Sequence, residues 1–222
     1  MDGTPHNRGD GAVVMPDEVY SWTVTTHDWT RSVDASHLAQ IRERAAVYAQ
    51  GGLRHLVLEV LAYADDEAAA AGRPGTVVVA TGSDGSVSVR DDGRGTDTRR
   101  TSGGEIVRKP VMATKDVRFF DHASRQVLAD GLPRWGMSVV AALSTTLVHE
   151  NRRVDGCWRQ TYHHGIPAAE LVETPGDGTT GATVTFTPDS QVDGDLFLVP
   201  SDLTAFNSLR ISLEDCQAPS NE

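Results

Sequence analysis

Cysteine is nearly absent from this 222-residue chain, which carries only Cys157 and Cys216. The two stand far apart and in no ligand spacing. That argues against a disulfide framework and a thiolate zinc site, and it suits a reducing compartment. Long apolar runs are missing as well. No stretch reaches the length that spans a bilayer, and the first ten residues are polar, without the apolar centre of a signal peptide. A cytoplasmic location and no membrane partner are therefore expected. Positive charge is scarce, with 20 Lys and Arg against 31 Asp and Glu and a formal net charge of −11. Such a surface repels phosphate backbones, so nucleic acid is not an expected partner. The small basic group Arg99, Arg100, Arg108 and Lys109 reads as a solvated loop. What is present, 39% hydrophobic and 23% charged residues, is an ordinary globular composition in a chain long enough to bury a core.

The pattern along the chain divides it into a polar leader over 1–35, one domain over 36–215 and a tail over 216–222. Within the leader, Val19 to Thr25 alternates weakly, as an edge strand would. Ser36 to Gln50 is helical in pattern, with Ser36 as N-cap and Gly51–Gly52 as the stop. The clearest helix follows. Leu53, Leu56, Val57, Val60, Leu61, Ala64 and Ala68 form one apolar stripe that ends at Gly72, with Pro74 beyond. Glu59, Tyr63, Asp66 and Glu67 share a second stripe, either a solvated face or the lining of a pocket. Thr76–Ala80 and Ser86–Arg90 flank Ser83–Asp84–Gly85 as a hairpin. Residues 98–130 have the least periodicity and read as a long functional or mobile segment. Gly136 to Leu147 is expected as a second buried helix. Leu147–Glu150 and Cys157–Tyr162 form a further hairpin, and Thr183–Thr187 and Leu209–Leu213 are later strands. Helices separated by antiparallel hairpins define an α+β two-layer sandwich.

Several segments resemble a known family in chain order. Gly52-Leu-Arg-His-Leu-Val-Leu-Glu59-Val-Leu-Ala-Tyr63-Ala-Asp-Asp66-Glu67 is similar to the first ATP-site helix of the DNA gyrase B ATPase domain and the wider GHKL (Bergerat-fold) group. Val89-Arg-Asp91-Asp-Gly93-Arg94-Gly95 resembles the second motif. Asp130-Gly131-Leu-Pro-Arg-Trp135-Gly136-Met-Ser138 stands where the family has its glycine-rich lid and the helix after it. Trp158-Arg159-Gln160-Thr-Tyr162 and Thr180-Gly181-Ala182-Thr-Val-Thr-Phe186 match later strands. The resemblance implies a mixed, mostly antiparallel sheet with helices on one face. It also assigns roles. Glu59 takes the place of the general base that activates water. Asp91 stands where the adenine amine is accepted, with Gly93 and Gly95 allowing close backbone approach. Arg94 and Glu67 stand where an ion pair brackets the base, and Arg159 matches an arginine of the pocket rim.

The departures concern the other half of that site. Where the family's helix asparagine holds Mg²⁺, this chain has Tyr63, a poor and bulky substitute. Where lid glycines and a histidine open backbone N–H groups to phosphates, it has Pro133, Arg134 and Trp135. Ala182 replaces an expected threonine, and Asp97 an expected proline. A dismantled metal-and-phosphate half beside a retained base half points to a pocket repurposed for a small organic molecule. No cofactor is expected, and ATP and Mg²⁺ are disfavoured.

Three functions compete on this reading. In the first, Glu59 performs acid–base catalysis near neutral pH, helped by Tyr63, in an isomerisation, cyclisation or dehydration of specialised metabolism such as antibiotic biosynthesis. In the second, the chain is a non-catalytic purine-nucleotide-binding or gyrase-mimicking module. In the third, it is an ATPase with a rearranged metal site, which Tyr63 makes the least expected. Topoisomerase activity is not expected at this length. Asp66 joins Asp91, Gly93, Arg94, Gly95, Trp135 and Arg159 among the expected ligand contacts, and no residue is expected to hold a metal. His163 and His164 read as a strand-to-turn pair, His55 as a packing or capping residue, and an oligomer remains possible.

Overall fold

A computed structural model describes residues 33–100, 106–108, 111–114, 126–168 and 170–215. The candidate strand at Val19–Thr25, the leader up to residue 32, Lys109, Cys216 and the tail lie outside those residues.

The first helix, α1 (Ala35–Glu43), begins one residue earlier than the pattern suggests. Asp34, not Ser36, is the cap: its Oδ1 accepts the His37 N–H at 3.0 Å and the Ser36 hydroxyl at 2.8 Å. The helix breaks at Arg44 (φ −111°, ψ 34°), so the expected single helix to Gln50 becomes α1 and a one-turn α2 (Ala45–Tyr48). The long α3 (Gly52–Ala71) follows, closed by Gly72 in the left-handed region at φ 65°. Every residue of its apolar stripe is buried. Leu58, Glu59 and Ala62 are buried too, so the middle of the helix is enclosed on more than one side, and the second stripe emerges to solvent only from Tyr63 onward.

Strands β1 (Gly75–Thr81) and β2 (Val87–Asp91) make the expected hairpin. Within the least periodic segment, β3 (Thr98–Arg100) and β4 (Ile106–Arg108) form a small separate antiparallel pair. The second buried helix is shorter than its apolar pattern. It is α4 (Met137–Ala142), capped by Leu143, and β5 (Ser144–Arg153) starts at once. Leu147 is thus a strand residue, registered between Tyr162 of β6 (Gly156–His163) and Phe186 of β9 (Gly181–Pro188). An apolar residue every third or fourth position continued the helical pattern, but Thr145, Thr146 and Val148 are β-branched and two ladders were available to them. The short β7 (Ile166–Pro167) and β8 (Val172–Thr174) pair with β6, then α5 (Pro200–Thr204) and β10 (Leu209–Asp215) complete the described residues. His163 ends β6 and His164 sits in the turn to β7, as expected of them.

The main sheet has eight strands in the order β10-β1-β2-β9-β5-β6-β7, with β8 also on β6. Among the described residues only β1 and β10 run parallel. The expected α+β sandwich with a mixed, mostly antiparallel sheet is the observed fold. Helices α3 and α4 pack on one face, and α1 packs on α4. A row across that face, Val79–Val89–Val184–His149–Gln160, is fixed by register and buried throughout. The opposite face carries Arg90, Glu150 and Arg159. No described helix is long and apolar enough to cross a membrane.

Candidate functional site

The site lies where α3, the end of β2 and the segment before α4 converge. Two of these approach closely because of Gly51, in the left-handed region at φ 88°. A Cβ there would stand 2.6 Å from Leu132 Cδ1 and 3.1 Å from Asp130 Oδ2. With that space open, the 130–132 turn packs on the start of α3 and brings Asp130 to His55.

Glu59 projects from α3 beneath this turn and is 1% exposed. Its Oε1 accepts the Trp135 backbone N–H and its Oε2 the Gly136 N–H at 2.9 Å. His55, one turn earlier on the helix, places Nε2 3.5 Å from Oε1 as an ion pair and Nδ1 2.7 Å from Asp130 Oδ2. Burial alone would disfavour the imidazolium. The hydrogen bond to Asp130 and the charges of Asp130 and Glu59 outweigh it and push His55 up to about 9. The same contact, against the cost of burial, holds Asp130 below the usual carboxylate range. At neutral pH the group is therefore a buried cation between two carboxylates. His55 is packed in the interior, as expected, and it also links Glu59 to Asp130. Its neighbour at i+4 on a helix was the available sequence signal; Asp130, 75 residues on, was not.

Arg134 and Trp135 are both tied into the chain itself. Arg134 is enclosed by the chain. It is 1% exposed, and donates to Gln126 Oε1 and to Asp66 Oδ2, both at 2.8 Å. Asp66, expected as a ligand contact, is thereby the counter-ion of Arg134. The Trp135 ring meets Tyr48 of α2 edge-on, with centroids 4.8 Å apart, and packs against the core.

At the other end, Asp91 closes β2 and turns toward the helices. Its Oδ1 accepts from Gly93 N–H at 2.8 Å and from Ala182 N–H at 3.1 Å. Its Oδ2 makes no hydrogen bond among the described residues. Burial pushes this carboxyl up, against the pull of the two N–H groups and the charge of Arg152. Where the family resemblance implies a threonine hydroxyl, the backbone of Ala182 thus supplies the donor. Arg94 and Glu67 form the expected ion pair, with Nη2 to Oε2 at 3.2 Å. Gly95 turns at φ 81° against Asn151 and Arg152. Tyr63 stands between these two ends. Burial pushes its phenol well up, a side-chain hydrogen bond with Thr96 opposing, and Glu67, Asp91 and Asp97 add to the rise. The hydroxyl is a neutral donor at any physiological pH.

Arg159 is not at this site. It lies on the sheet face opposite the helices, 3.8 Å from Glu150, and more than half of its side chain is exposed. Strand alternation decides this: Trp158, Gln160 and Tyr162 take the buried face of β6, so Arg159 points the other way. The arginine near Asp91 is Arg152.

These residues do not fit Mg²⁺ with a triphosphate. Tyr63 offers a neutral phenol where a carboxamide would ligate, and the Trp135 and Gly136 donors already hold an anion of the chain itself. Among the described residues, no group of three or more His, Cys, Asp or Glu is placed to hold a metal ion.

The fold is the α+β sandwich of gyrase-B-like ATPase domains. Residues 49–192 match the family described as histidine kinase-, DNA gyrase B-, and HSP90-like ATPase. The chain belongs to that family. It is 37% identical over 166 residues to the DNA gyrase B protein of Haloferax volcanii, covering 70% of this chain and 26% of the relative. It is 34% identical over 190 residues to that of Streptomyces coelicolor, covering 78% and 26%. The chain thus spans about a quarter of the length of the curated relatives it matches. The topoisomerase IV ATP-binding domain of Francisella tularensis, solved with a small-molecule inhibitor, shares the fold with a TM-score of 0.59. That match covers 80% of this chain and 50% of that one at 22% identity.

Proposed function

We propose that this gyrase-B-like domain is a binding module for a small, phosphate-free aminoheterocycle of purine type, with little or no ATP hydrolysis. The observation that carries this is the seating of Glu59 on the Trp135 and Gly136 N–H groups. In the role the resemblance implies, that carboxylate would activate water and those donors would meet phosphate. Bound to one another, they do neither. A triphosphate would have to strip a buried carboxylate from two donors and from protonated His55, and then add its own negative charge beside it. At the base end, Asp91 Oδ2 supports recognition of an N–H donor, and Tyr63 adds a neutral hydroxyl.

Acid–base chemistry on Glu59, and with it an isomerisation, cyclisation or dehydration in specialised metabolism, draws no support from this arrangement. Both oxygens already accept from the chain.

Thermal-shift measurements with adenosine, ADP and a non-hydrolysable ATP analogue, each with and without Mg²⁺, test the reading. Adenosine at a hundredfold excess over its Kd is expected to add about 2.7 kcal/mol of stability. Mg²⁺ is expected to add nothing for any of the three. Stabilisation that requires Mg²⁺, or none from adenosine, overturns it.

A further inference from the structure

We propose that Arg152, reaching from the sheet face opposite the helices, is the positioning residue that holds Asp91 as an acceptor for a ligand N–H. This rests on Asp91 as the ligand-reading group.

Arg152 is the penultimate residue of β5, and its guanidinium is buried, with the residue 7% exposed. Its Nη2 donates to the Asp91 carbonyl at 3.0 Å and to the Ala182 carbonyl at 3.5 Å. Its Nη1 donates to Thr183 Oγ1 at 2.6 Å and its Nε to Thr179 Oγ1 at 3.1 Å. One planar group thus ties the end of β2 to the start of β9. Those are the two segments joined on the other side by the Ala182 N–H and Asp91 Oδ1. The segments meet backbone to backbone because residue 181 is glycine at φ 125°, where a Cβ would stand 2.0 Å from the Asp91 carbonyl oxygen. Arg152 locks that approach from behind.

The guanidinium also supplies charge. Asp91 faces Glu67 and Tyr63 on α3 and, through the sheet, Arg152 on β5. Burial and Glu67 favour the neutral carboxyl, while Arg152 and two N–H groups favour the carboxylate. Around Arg152 itself stand Arg90 on β2, Glu150 on β5 and Asp177 before β9. Its own hydrogen bonds go to carbonyl and hydroxyl oxygens, so no carboxylate contact among them spends its charge. A neutral carboxyl would offer a donor where the ligand also offers one; an anionic one accepts.

The test follows the Asp91 carboxyl by carbon-13 NMR in the full chain, wild type against R152M, with D91N assigning the signal. The Asp91 midpoint is expected to rise by about one pH unit in R152M. Adenosine binding is present above that midpoint and lost below it, so its acid limb moves up equally. T183V removes the 2.6 Å anchor but leaves the charge, and is expected to shift the midpoint less in the same direction; it carries the test if R152M does not fold. R210M, an exposed arginine on β10 two strands away, is expected to leave the midpoint in place. Coincident midpoints in wild type and the folded variant, or an equal shift in R210M, overturn the proposal. Wild-type protein that ignores adenosine while its Asp91 midpoint still depends on Arg152 removes the purine reading and leaves the positioning role.

Discussion

His55 donates from Nδ1 to Asp130 Oδ2 across 2.7 Å, pinning the turn before the lid segment to the first turn of α3. The same ring faces Glu59 at 3.5 Å, so one buried imidazolium links the two acidic groups that hold the 130–136 segment.

Stability should therefore fall on the alkaline side. His55 is raised from 6.5 to about 9 in the fold, so its contribution is full below pH 6.5. It is lost as pH rises through about 9, and amounts to something on the order of 3 kcal/mol. Urea unfolding at pH 6, 7.5 and 9.5 measures it, with H55Q as the flat reference. A wild type as stable at pH 9.5 as at pH 6 contradicts this assignment.

Glu59 is expected to act on stability. E59Q turns an amide N–H₂ toward donors and leaves His55 short of one counter-charge, costing about 2 kcal/mol in chemical denaturation. In E59A the two vacated N–H groups and His55 should take up formate, raising the Tm of the variant while leaving wild type unmoved. An E59Q protein of wild-type stability would argue that the carboxylate is held loosely and free for chemistry.

Y63N places the family's residue type back at the metal position. Mg²⁺-dependent binding of a non-hydrolysable ATP analogue should not return, since the lid donors remain occupied by Glu59. Calorimetry with and without Mg²⁺ decides; a Mg²⁺-dependent signal in this single variant would place the obstruction at Tyr63 alone.

G181A forces a Cβ against the Asp91 carbonyl and is expected to destabilise the fold by 2 kcal/mol or more, roughly the range for overpacking on a strained backbone. G178A, also at positive φ but with nothing within 4 Å, is the comparison and should cost about 1 kcal/mol. Equal melting temperatures for the two would mean that β9 moves away from β2 at no cost.

Much of this was legible in the chain because its causes are local. The apolar stripe and terminal glycine of α3 need only a helical period, and the β1–β2 and β5–β6 hairpins need alternation around a turn. Asp91, Gly93 and the Arg94–Glu67 pair followed from motifs that keep their spacing. The end of α4 was misread because Leu143 and Leu147 satisfy a helical repeat, while the ladders that claim Ser144 onward come from β9, some forty residues away.

What tertiary structure alone decided is which donor meets which acceptor. Glu59 could be an open base or a buried anchor with the same neighbours in sequence, and the choice was made by the Trp135 and Gly136 N–H groups. Arg152 and Arg159 are alike in type and share a sheet face, yet one is tied to Asp91 and the other faces solvent, because β5 lies beside β9 and β6 lies one strand further from β2. Local periodicity is written by each segment's own side chains; hydrogen-bond partnership across 76 residues depends on how the segments pack.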